Sequence, residues 1–309
     1  MKTYISVIIC SHNPRTDYLE SVLQALKFQT LPTIFWELLL IDNASNQIIS
    51  SAIDLSWHSQ ARHIREEKLG KNYALLTGFK EAKAELLIIV DDDNVLAPDY
   101  LDVALNISKD FSFIGAWGGQ VIAKLEENPP EWIKPDLVNH LQNLACREFA
   151  RDKWSNLDHE YETIPCGAGL CVRRNVVDKY VEVVSSDPRR LILGRIGNQL
   201  RSCEDDDLAF TACDIGLGTG QFTSLKLTHL IPSRRLEEDY LLQLTEAMSY
   251  SKIMLEYLRG RLLPKQNWRS SKIYLIYLRL RFGARRCRFY ASSQKGIRLA
   301  LEDIANWNK

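Results

Sequence analysis

The sequence predicts an α/β fold: a mainly parallel sheet flanked by helices, followed by a helical C-terminal appendage. Two observations indicate this. Between residues 5 and 90, short apolar runs alternate with segments whose apolar residues recur at helical spacing. That order favours parallel strands joined by covering helices. Beyond residue 235 only helical patterns remain. We therefore expect two parts, residues 1–235 and residues 236–309.

The first part of the chain supplies the predicted parallel strands. Residues 6–10, 36–41 and 86–90 are short runs dominated by apolar side chains, with turn-forming residues after them. Runs of this kind are typical of strands buried on both faces of a sheet. A weaker pattern at residues 62–65 predicts a further short strand.

Two helices are predicted between these strands. In residues 17–29 the apolar side chains at positions 19, 22, 23 and 26 share one helical face, and Leu31-Pro32 ends the helix. In residues 72–84 the small and apolar residues at 74, 75, 78, 79 and 82 share another face. Each helix would cover the sheet between two parallel strands.

The middle of the chain is less regular. Residues 115–121 are a predicted strand, and residues 166–172 are a glycine-containing turn that enters another strand. Four acidic residues, 204–207, precede a predicted helix that continues through Cys213, and Gly216 or Gly218 closes it.

The last predicted strand is residues 226–230, which carries His229. From Leu236 onward the pattern is helical. Residues 240–262 have apolar positions at 244, 247, 248, 250, 254, 257 and 258, which predicts a helix docked on the preceding domain.

Composition is that of an ordinary folded protein, with 309 residues, 46% hydrophobic and 25% charged. No apolar run approaches the roughly 18–20 residues that cross a bilayer, and the apolar stretch 5–10 is too short for a secretory signal. The seven cysteines contain no C-x-x-C pair. A disulfide framework and structural zinc are therefore not expected, and the simple inference is a reducing cytoplasm.

Charge is distributed unevenly along the chain. Residues 251–300 contain thirteen basic residues and one acidic residue, Glu256, although the whole chain has a net charge of zero. Leu275, Leu278 and Phe282 can share a helical face flanked by arginines. Basic and apolar residues together favour an anionic membrane surface contacted through residues 265–298. Packing on an acidic domain is the other open interpretation. No nucleic-acid motif accompanies the charge, so no nucleic acid is expected.

Three acidic residues, Asp91, Asp92 and Asp93, directly follow the apolar run 86–90. Ligands of open α/β sheets lie at the carboxyl ends of such strands. Magnesium-type ions take oxygen ligands, often one or two carboxylates together with substrate phosphates. The pattern predicts a metal–diphosphate site. The alternative is a solvated acidic turn.

Two further polar clusters follow the first two strands. They are Ser11-His12-Asn13 and Asp42-Asn43, and strand polarity places them at the same sheet edge as the acidic residues. The first turn contains no glycine, which excludes a dinucleotide fingerprint or a Walker A loop and argues against a nucleotidyltransferase. Side chains must then bind a nucleotide. Asp42 can accept from a base or ribose, and His12 can stack on a base or be structural.

Together these residues resemble the family 2 glycosyltransferases, which have the GT-A fold. The resemblance spans roughly residues 4–235 and rests on six short segments in the family's order. The segments are Val-Ile-Ile-Cys-Ser-His-Asn-Pro (7–14), Leu-Leu-Ile-Asp-Asn-Ala-Ser (39–45), Leu-Gly-Lys-Asn-Tyr-Ala-Leu (69–75), Val-Asp-Asp-Asp-Asn (90–94), Gly-Ala-Gly (167–169) and Glu-Asp-Asp-Asp-Leu (204–208).

The resemblance implies a nucleoside-diphosphate sugar donor, usually UDP-linked. It places Asp42 at the nucleobase and Asp91 and Asp93 in the D-x-D motif, with Asp93 holding Mn²⁺ or Mg²⁺. His229 is expected to complete the metal shell. The remaining residues predicted to line the donor site are Ser11, His12, Asn13, Lys71 and Asp92. For Lys71, approach to the diphosphate and an ordinary exposed helix lysine are both open.

The acidic run 204–207 resembles the family's Glu-Asp pair, which implies Asp205 as catalytic base beside Glu204. A carboxylate can take the proton of an acceptor hydroxyl, and mutual repulsion with partial burial raises a carboxyl pKa toward a useful range. The alternative is that acidic residues simply favour a helix N-terminus. Two departures from the family pattern are His12, where many members carry Tyr, and Ala84, where a glycine is common.

The predicted function is therefore an inverting, metal-assisted glycosyltransferase in bacterial surface polysaccharide synthesis. The partners that this function implies are a nucleotide-sugar donor and a saccharide or polyprenyl-linked acceptor. The predicted location is the cytoplasm, peripheral to the inner face of the plasma membrane. The competing hypothesis is a catalytically inactive nucleotide-sugar-binding scaffold. For Gly167-Ala168-Gly169, close approach of a sugar and an ordinary turn are both open.

Overall fold

A computed structural model of the protein describes residues 3–263 and 268–307. Its strands are β1 (Ile5–Ser11), β2 (Trp36–Asn43), β3 (Ala61–Glu66), β4 (Leu86–Val90), β5 (Asn94–Leu96), β6 (Ile114–Leu125), β7 (Lys153–Ser155), β8 (Leu170–Arg173) and β9 (Gly218–Ile231). Its α-helices are α1 (Thr16–Lys27), α2 (Lys71–Glu81), α3 (Tyr100–Asp110), α4 (Leu137–Asn143), α5 (Arg174–Ser186), α6 (Glu204–Asp214), α7 (Glu238–Leu258) and α8 (Trp268–Trp307).

The strands form one sheet in the order β3-β2-β1-β4-β8-β6-β9-β5, with β7 also paired to β9. The first four strands in this order are parallel, as predicted. From β8 onward antiparallel pairs join the sheet, so that the sheet as a whole is mixed. The α/β class predicted from the sequence is confirmed, with parallel pairing among the first four strands of this order and again between β6 and β9.

Burial explains why the apolar segments in the first half of the chain form the observed strands and helix α1. All residues of β2 and β4 are buried, and β1 is buried at every position except Cys10. The apolar face of α1 is formed by Leu19, Val22, Leu23 and Leu26, which are also buried. Strands covered on both faces need continuous apolar sequence, which is why these elements were predicted close to their observed bounds.

The second half differs from the sequence-based expectation in two respects. The predicted strand 226–230 is the end of the longer β9, which pairs with β6 on one side and with β7 and β5 in succession on the other. Helix α6 begins at Glu204, so the acidic run 204–207 forms its first turn and does not precede it.

The chain divides into two compact units. One contains Met1–Pro188 and Asp205–Pro232, and the other contains Arg189–Glu204 and Ser233–Lys309. The functional division predicted at residue 235 stays a prediction. The predicted boundary assigns residues 189–204 to the first part of the chain, whereas in the structure they belong with the C-terminal helices. Arg190 donates to the carbonyl of Leu258 at 2.9 Å, and the backbone N–H of Ser202 donates to Ser251 Oγ at 3.0 Å.

The C-terminal unit is built on α7 and α8. Helix α8 is interrupted at Gly283, whose φ of 86° and ψ of 173° are not helical. Its second arm, residues 284–307, packs along α7, with Ser293 Oγ 2.8 Å from Ser249 Oγ and Asp303 accepting from Tyr250 at 2.7 Å. Among the described residues, no helix combines the length and apolar character needed to span a bilayer.

Candidate active site

The polar clusters that follow β1, β2 and β4 meet at one edge of the sheet, as predicted. Ser11 and Asp42 are paired in the register of β1 and β2. The hydroxyl of Ser11 donates to the Asp92 carboxylate, and His12 Nδ1 lies 2.7 Å from the carbonyl oxygen of Asn43. Parallel strands end at a common edge, so residues distant in sequence become neighbours there.

Asp42 is buried and organises the loop that follows β2. Its carboxylate accepts the backbone N–H groups of Ser45 and Ile49, each at 3.0 Å, and pairs with Arg65 at 2.8 Å. Burial raises the pKa of Asp42, but these hydrogen bonds and Arg65 outweigh it and hold the pKa below its ordinary value. Asp42 is therefore ionised and already has several donors, and its contact with a nucleobase stays a prediction.

His12 is exposed, and hydrogen bonds fix the orientation of its ring. A carbonyl oxygen can only accept, so Nδ1 carries the proton toward Asn43. The other nitrogen, Nε2, lies 3.0 Å from the side-chain amide of Asn13. Asn13 has a left-handed backbone (φ 49°) and also accepts from the N–H of Asn46 at 2.8 Å. The structure thus presents an oriented, exposed imidazole at the sheet edge.

The three carboxylates after β4 have three different partners. Asp91 pairs with Lys71 Nζ at 2.9 Å, at the N-terminus of α2. Asp92 accepts from Ser11. Asp93 is buried, and its Oδ2 lies 3.3 Å from Nε2 of His229. The three side chains point to different partners because the chain makes a tight turn between β4 and β5. In this turn the N–H of Asn94 donates to the Asp91 carbonyl at 3.1 Å.

His229 reaches Asp93 because β9 runs antiparallel to β5. The register pairs His229 with Asn94, the residue next to Asp93. Its second ring nitrogen, Nδ1, lies 3.8 Å from the thiol sulfur of the buried Cys146. The short strand β5 was not predicted, and it is the element that brings the acidic turn and His229 together.

Asp93 and His229 suit a divalent cation that takes most of its ligands from a bound diphosphate. No group of three or more His, Cys, Asp or Glu side chains in residues 3–263 and 268–307 is arranged to hold a metal by itself. The third predicted ligand, Asp91, is paired with Lys71. The donor set fits a cation bound jointly with phosphate better than a site made of protein ligands alone.

Asp205 is half-buried in the first turn of α6. Its Oδ2 accepts the backbone N–H of Gly167 at 2.6 Å, and its Oδ1 accepts that of Asp206 at 3.0 Å. The neighbouring Glu204 is buried, and its Oε2 lies 3.3 Å from where a Cβ on Gly194 would be. The two acidic residues therefore have different surroundings, and only Asp205 is held by the 167–169 turn.

Cys166 directly precedes the 167–169 turn, and carboxylates of both acidic motifs affect the pKa of its thiol. Burial raises the pKa of the Cys166 thiol, and the charges of Asp205 and Asp91 act in the same direction, while Arg147 opposes them. Cys166 Sγ also donates to the carbonyl of Ala145 at 3.7 Å.

The 167–169 turn is held by a hydrogen bond from Tyr100, a residue that the sequence pattern does not single out. Tyr100 is buried, and its hydroxyl donates to the carbonyl of Gly169 at 2.7 Å. Gly169 has a φ of +72°, and a Cβ there would overlap the Tyr100 hydroxyl. Glycine is needed at this position for backbone and packing reasons. Arg65, Tyr100 and Cys146 are the contacts that the sequence pattern missed.

A mixed sheet flanked by helices, with polar clusters at the carboxyl edge of its parallel strands, defines a GT-A type nucleotide-diphospho-sugar transferase fold. The chain belongs to glycosyl transferase family 2, because the model of that family, Glycosyl transferase family 2, matches residues 6–180, more than half of the chain. No curated protein sequence matches it.

Solved structures with a similar fold include S. aureus TarS. TarS 1-349 in complex with UDP-GlcNAc is 12% identical with a TM-score of 0.52, over 97% of this chain and 80% of that chain. TarS 1-349 in complex with UDP is 14% identical with a TM-score of 0.50, over 99% and 78%. A further TarS structure is 13% identical with a TM-score of 0.50, over 91% of this chain and 44% of that chain. This chain thus spans less than half of that protein, and at these identities the likeness concerns the fold alone.

Proposed function

We propose that the protein transfers a sugar from a nucleoside-diphosphate sugar to a hydroxyl group of a saccharide or polyprenyl-linked saccharide, with inversion at the anomeric carbon. The observation that carries the proposal is the buried pair Asp93 and His229, at the sheet edge where Asp42 and His12 also lie. UDP is the first nucleotide to consider, since TarS 1-349 of similar fold has been crystallised with UDP and with UDP-GlcNAc.

In the proposed reaction Asp205 is the base. The acceptor oxygen attacks the anomeric carbon while Asp205 takes its proton, and the bond from that carbon to the diphosphate oxygen breaks on the opposite side. The N–H groups of Gly167 and Asp206 hold the Asp205 carboxylate in one orientation, which limits the entropy lost on reaching the reactive geometry. A positioned base of this kind contributes about 10²–10⁴-fold to the rate.

The donor's leaving group would lie near the acidic turn. A bound Mn²⁺ or Mg²⁺ supplies neutralisation of the charge that develops on the diphosphate, and Asp93 and His229 are the residues that would hold it. Lys71, paired with Asp91 at 2.9 Å, keeps that carboxylate in place, and its positive charge at the N-terminus of α2 would attract the phosphate oxygens of the donor.

Other parts of the proposal concern the cellular setting. We place the enzyme in the cytoplasm, at the inner face of the plasma membrane, where it would act in bacterial surface polysaccharide synthesis. This setting follows from the acceptor class that the family resemblance implies, and it supplies a polyprenyl-linked substrate within reach of the enzyme.

The test is thermal stabilisation of the full chain by a panel of nucleoside diphosphates, with and without Mn²⁺. A ligand that binds only the folded protein adds about 2.7 kcal/mol at about 100 times Kd. We expect one nucleotide, with UDP first, to raise the melting temperature in a metal-dependent way. Turnover of the corresponding sugar donor then separates an enzyme from an inactive scaffold. A folded protein that no nucleotide stabilises would contradict the proposal.

A further inference from the structure

The first arm of α8, residues 268–282, exposes a stripe of apolar side chains. Ile273, Ile276, Tyr277 and Leu280 are 71%, 63%, 50% and 83% exposed. Their spacing of three, one and three residues places them on one face of a helix. Scattered exposed apolar residues are ordinary on protein surfaces, but a continuous stripe indicates a contact surface. We call these four residues the 273–280 stripe.

The opposite face of the same arm is already occupied. Leu278 is only 5% exposed, Leu275 is half-buried, and Cys287 of the second arm donates to the carbonyl of Leu275 at 3.6 Å. The rings of Tyr274 and Tyr290 meet at a centroid distance of 5.0 Å. The expectation that Leu275 and Leu278 belong to a membrane-facing surface is therefore wrong, because the break at Gly283 folds the second arm back over them.

Positive charge surrounds the stripe. The sequence contains no acidic residue from 257 to 301. Arg279, Arg281 and Arg286 are exposed, and the last two lie over the ring of Phe282 at 5.4 and 4.7 Å. The neighbouring Arg285 and Arg288 instead pair with acidic residues at the start of α7. The basic side chains near the stripe thus divide into a set that holds the hairpin together and a set directed to its outer surface.

We propose that the 273–280 stripe inserts into the headgroup region of an anionic bilayer, with Arg279, Arg281 and Arg286 contacting lipid phosphates. Apolar and aromatic side chains bordered by arginine match the boundary between acyl chains and anionic headgroups. Arginine suits this position because its guanidinium forms paired hydrogen bonds with phosphate. Of the range 265–298 predicted from the sequence, residues 265–267 lie outside the described residues.

Charge also decides between a membrane and a second copy of the chain. In a two-fold dimer the same patch meets itself, so pairing through the stripe would bring two arginine-rich surfaces together. Like charges face to face oppose association. A surface of opposite charge does not carry this cost, and the anionic bilayer is therefore the occupant that the observations favour.

The test is sedimentation of the full chain with vesicles of phosphatidylglycerol and phosphatidylcholine, compared with vesicles of phosphatidylcholine alone. We expect binding to the anionic vesicles, weakened by salt. The double variant Ile276→Ser, Leu280→Ser should lose about tenfold or more in affinity, and so should Arg279→Gln, Arg281→Gln. The matched control is Ile48→Ser, Val138→Ser, which changes two exposed apolar residues elsewhere and should bind as wild type does.

Two readouts keep the outcomes distinct. Melting curves and the oligomeric state of each variant exclude unfolding and self-association as the cause of lost binding. Stripe variants that bind anionic vesicles as tightly as wild type would overturn the proposal. So would a wild-type dimer that the stripe variants abolish, without lipid binding. The inference does not depend on sugar transfer, because vesicle binding is measured without donor or acceptor.

Discussion

Asp93 and His229 form a buried pair, with 3.3 Å between Asp93 Oδ2 and His229 Nε2, across the junction of a tight turn and the long strand β9. Both side chains are shielded from water, and each chain segment is held by its neighbours in the sheet. Under the proposed function, a cation bound here would meet two side chains that are already in place, which lowers the entropy lost on binding.

The first prediction concerns His229. The variant His229→Asn should bind Mn²⁺ about 10–100-fold more weakly in the presence of the stabilising nucleoside diphosphate, because one of two protein ligands is lost. Isothermal titration with Mn²⁺ measures this. The control is His58→Asn, which also replaces a buried histidine, one packed against Trp36. Equal Mn²⁺ affinity in wild type and His229→Asn would contradict the role of His229.

The second prediction concerns the proposed base. Asp205→Asn should lower kcat by about 10²–10⁴-fold and leave donor affinity nearly unchanged, since amide nitrogen cannot accept the acceptor proton. Release of nucleoside diphosphate from the donor, in the presence of acceptor, reports the rate. The neighbouring Asp206→Asn removes a half-buried carboxylate from the same helical turn and should retain activity. Near-normal turnover by Asp205→Asn would exclude it as the base.

The third prediction concerns Gly169. Alanine there meets the Tyr100 hydroxyl and lies 2.6 Å from Leu227 Cδ2, with a φ of +72°. Left-handed backbone and overpacking together should cost about 2–5 kcal/mol. Gly216→Ala is the control, since its φ is +79° but no atom lies within 4 Å of the added Cβ. It should cost only about 1–2 kcal/mol. Denaturant unfolding measures both, and equal losses would show that packing against Tyr100 contributes nothing.

The fourth prediction concerns pH and Asp42. Its native pKa is below the ordinary value of about 3.9, so its ionised form stabilises the fold above about pH 4. This contribution is lost as pH falls through the lowered native pKa. Asp42→Asn should therefore reduce the melting temperature at neutral pH, and the gap from wild type should narrow in acid. Melting curves from neutral to acid pH test this, with the exposed Asp178→Asn as control. A gap that widens in acid would contradict it.

The sequence predicts β4 to the residue because a fully buried parallel strand is a continuous apolar run with sharp ends. It does not predict the first half of β9, since residues 218–222, Gly-Thr-Gly-Gln-Phe, have little intrinsic preference for strand, and neighbouring strands determine their conformation. Helix α5 was overlooked, although Val176, Val177, Tyr180 and Val184 are buried on one helical face and their spacing indicates a helix.

In the candidate site, too, some features can be predicted from the local sequence and others depend on the folded sheet. Strand polarity alone predicts that Ser11, Asp42 and Asp92 gather at one edge, and the structure confirms that meeting. The contacts of Arg65 with Asp42 and of Tyr100 with Gly169 join elements whose relative position depends on the folded sheet. Nothing in the local sequence around either residue indicates its partner. The catalytic and ligand-binding roles stay predictions until the variants above are measured.

The placement of residues 189–204 has a consequence for how the chain can be divided. The segment that leads directly into Asp205 donates two hydrogen bonds to α7, from Arg190 to the carbonyl of Leu258 and from the N–H of Ser202 to Ser251 Oγ. Deleting everything after residue 235 would remove the partners of these two hydrogen bonds. Residues 189–204 and the C-terminal helices therefore form one folding unit, and a truncation at residue 235 would divide that unit.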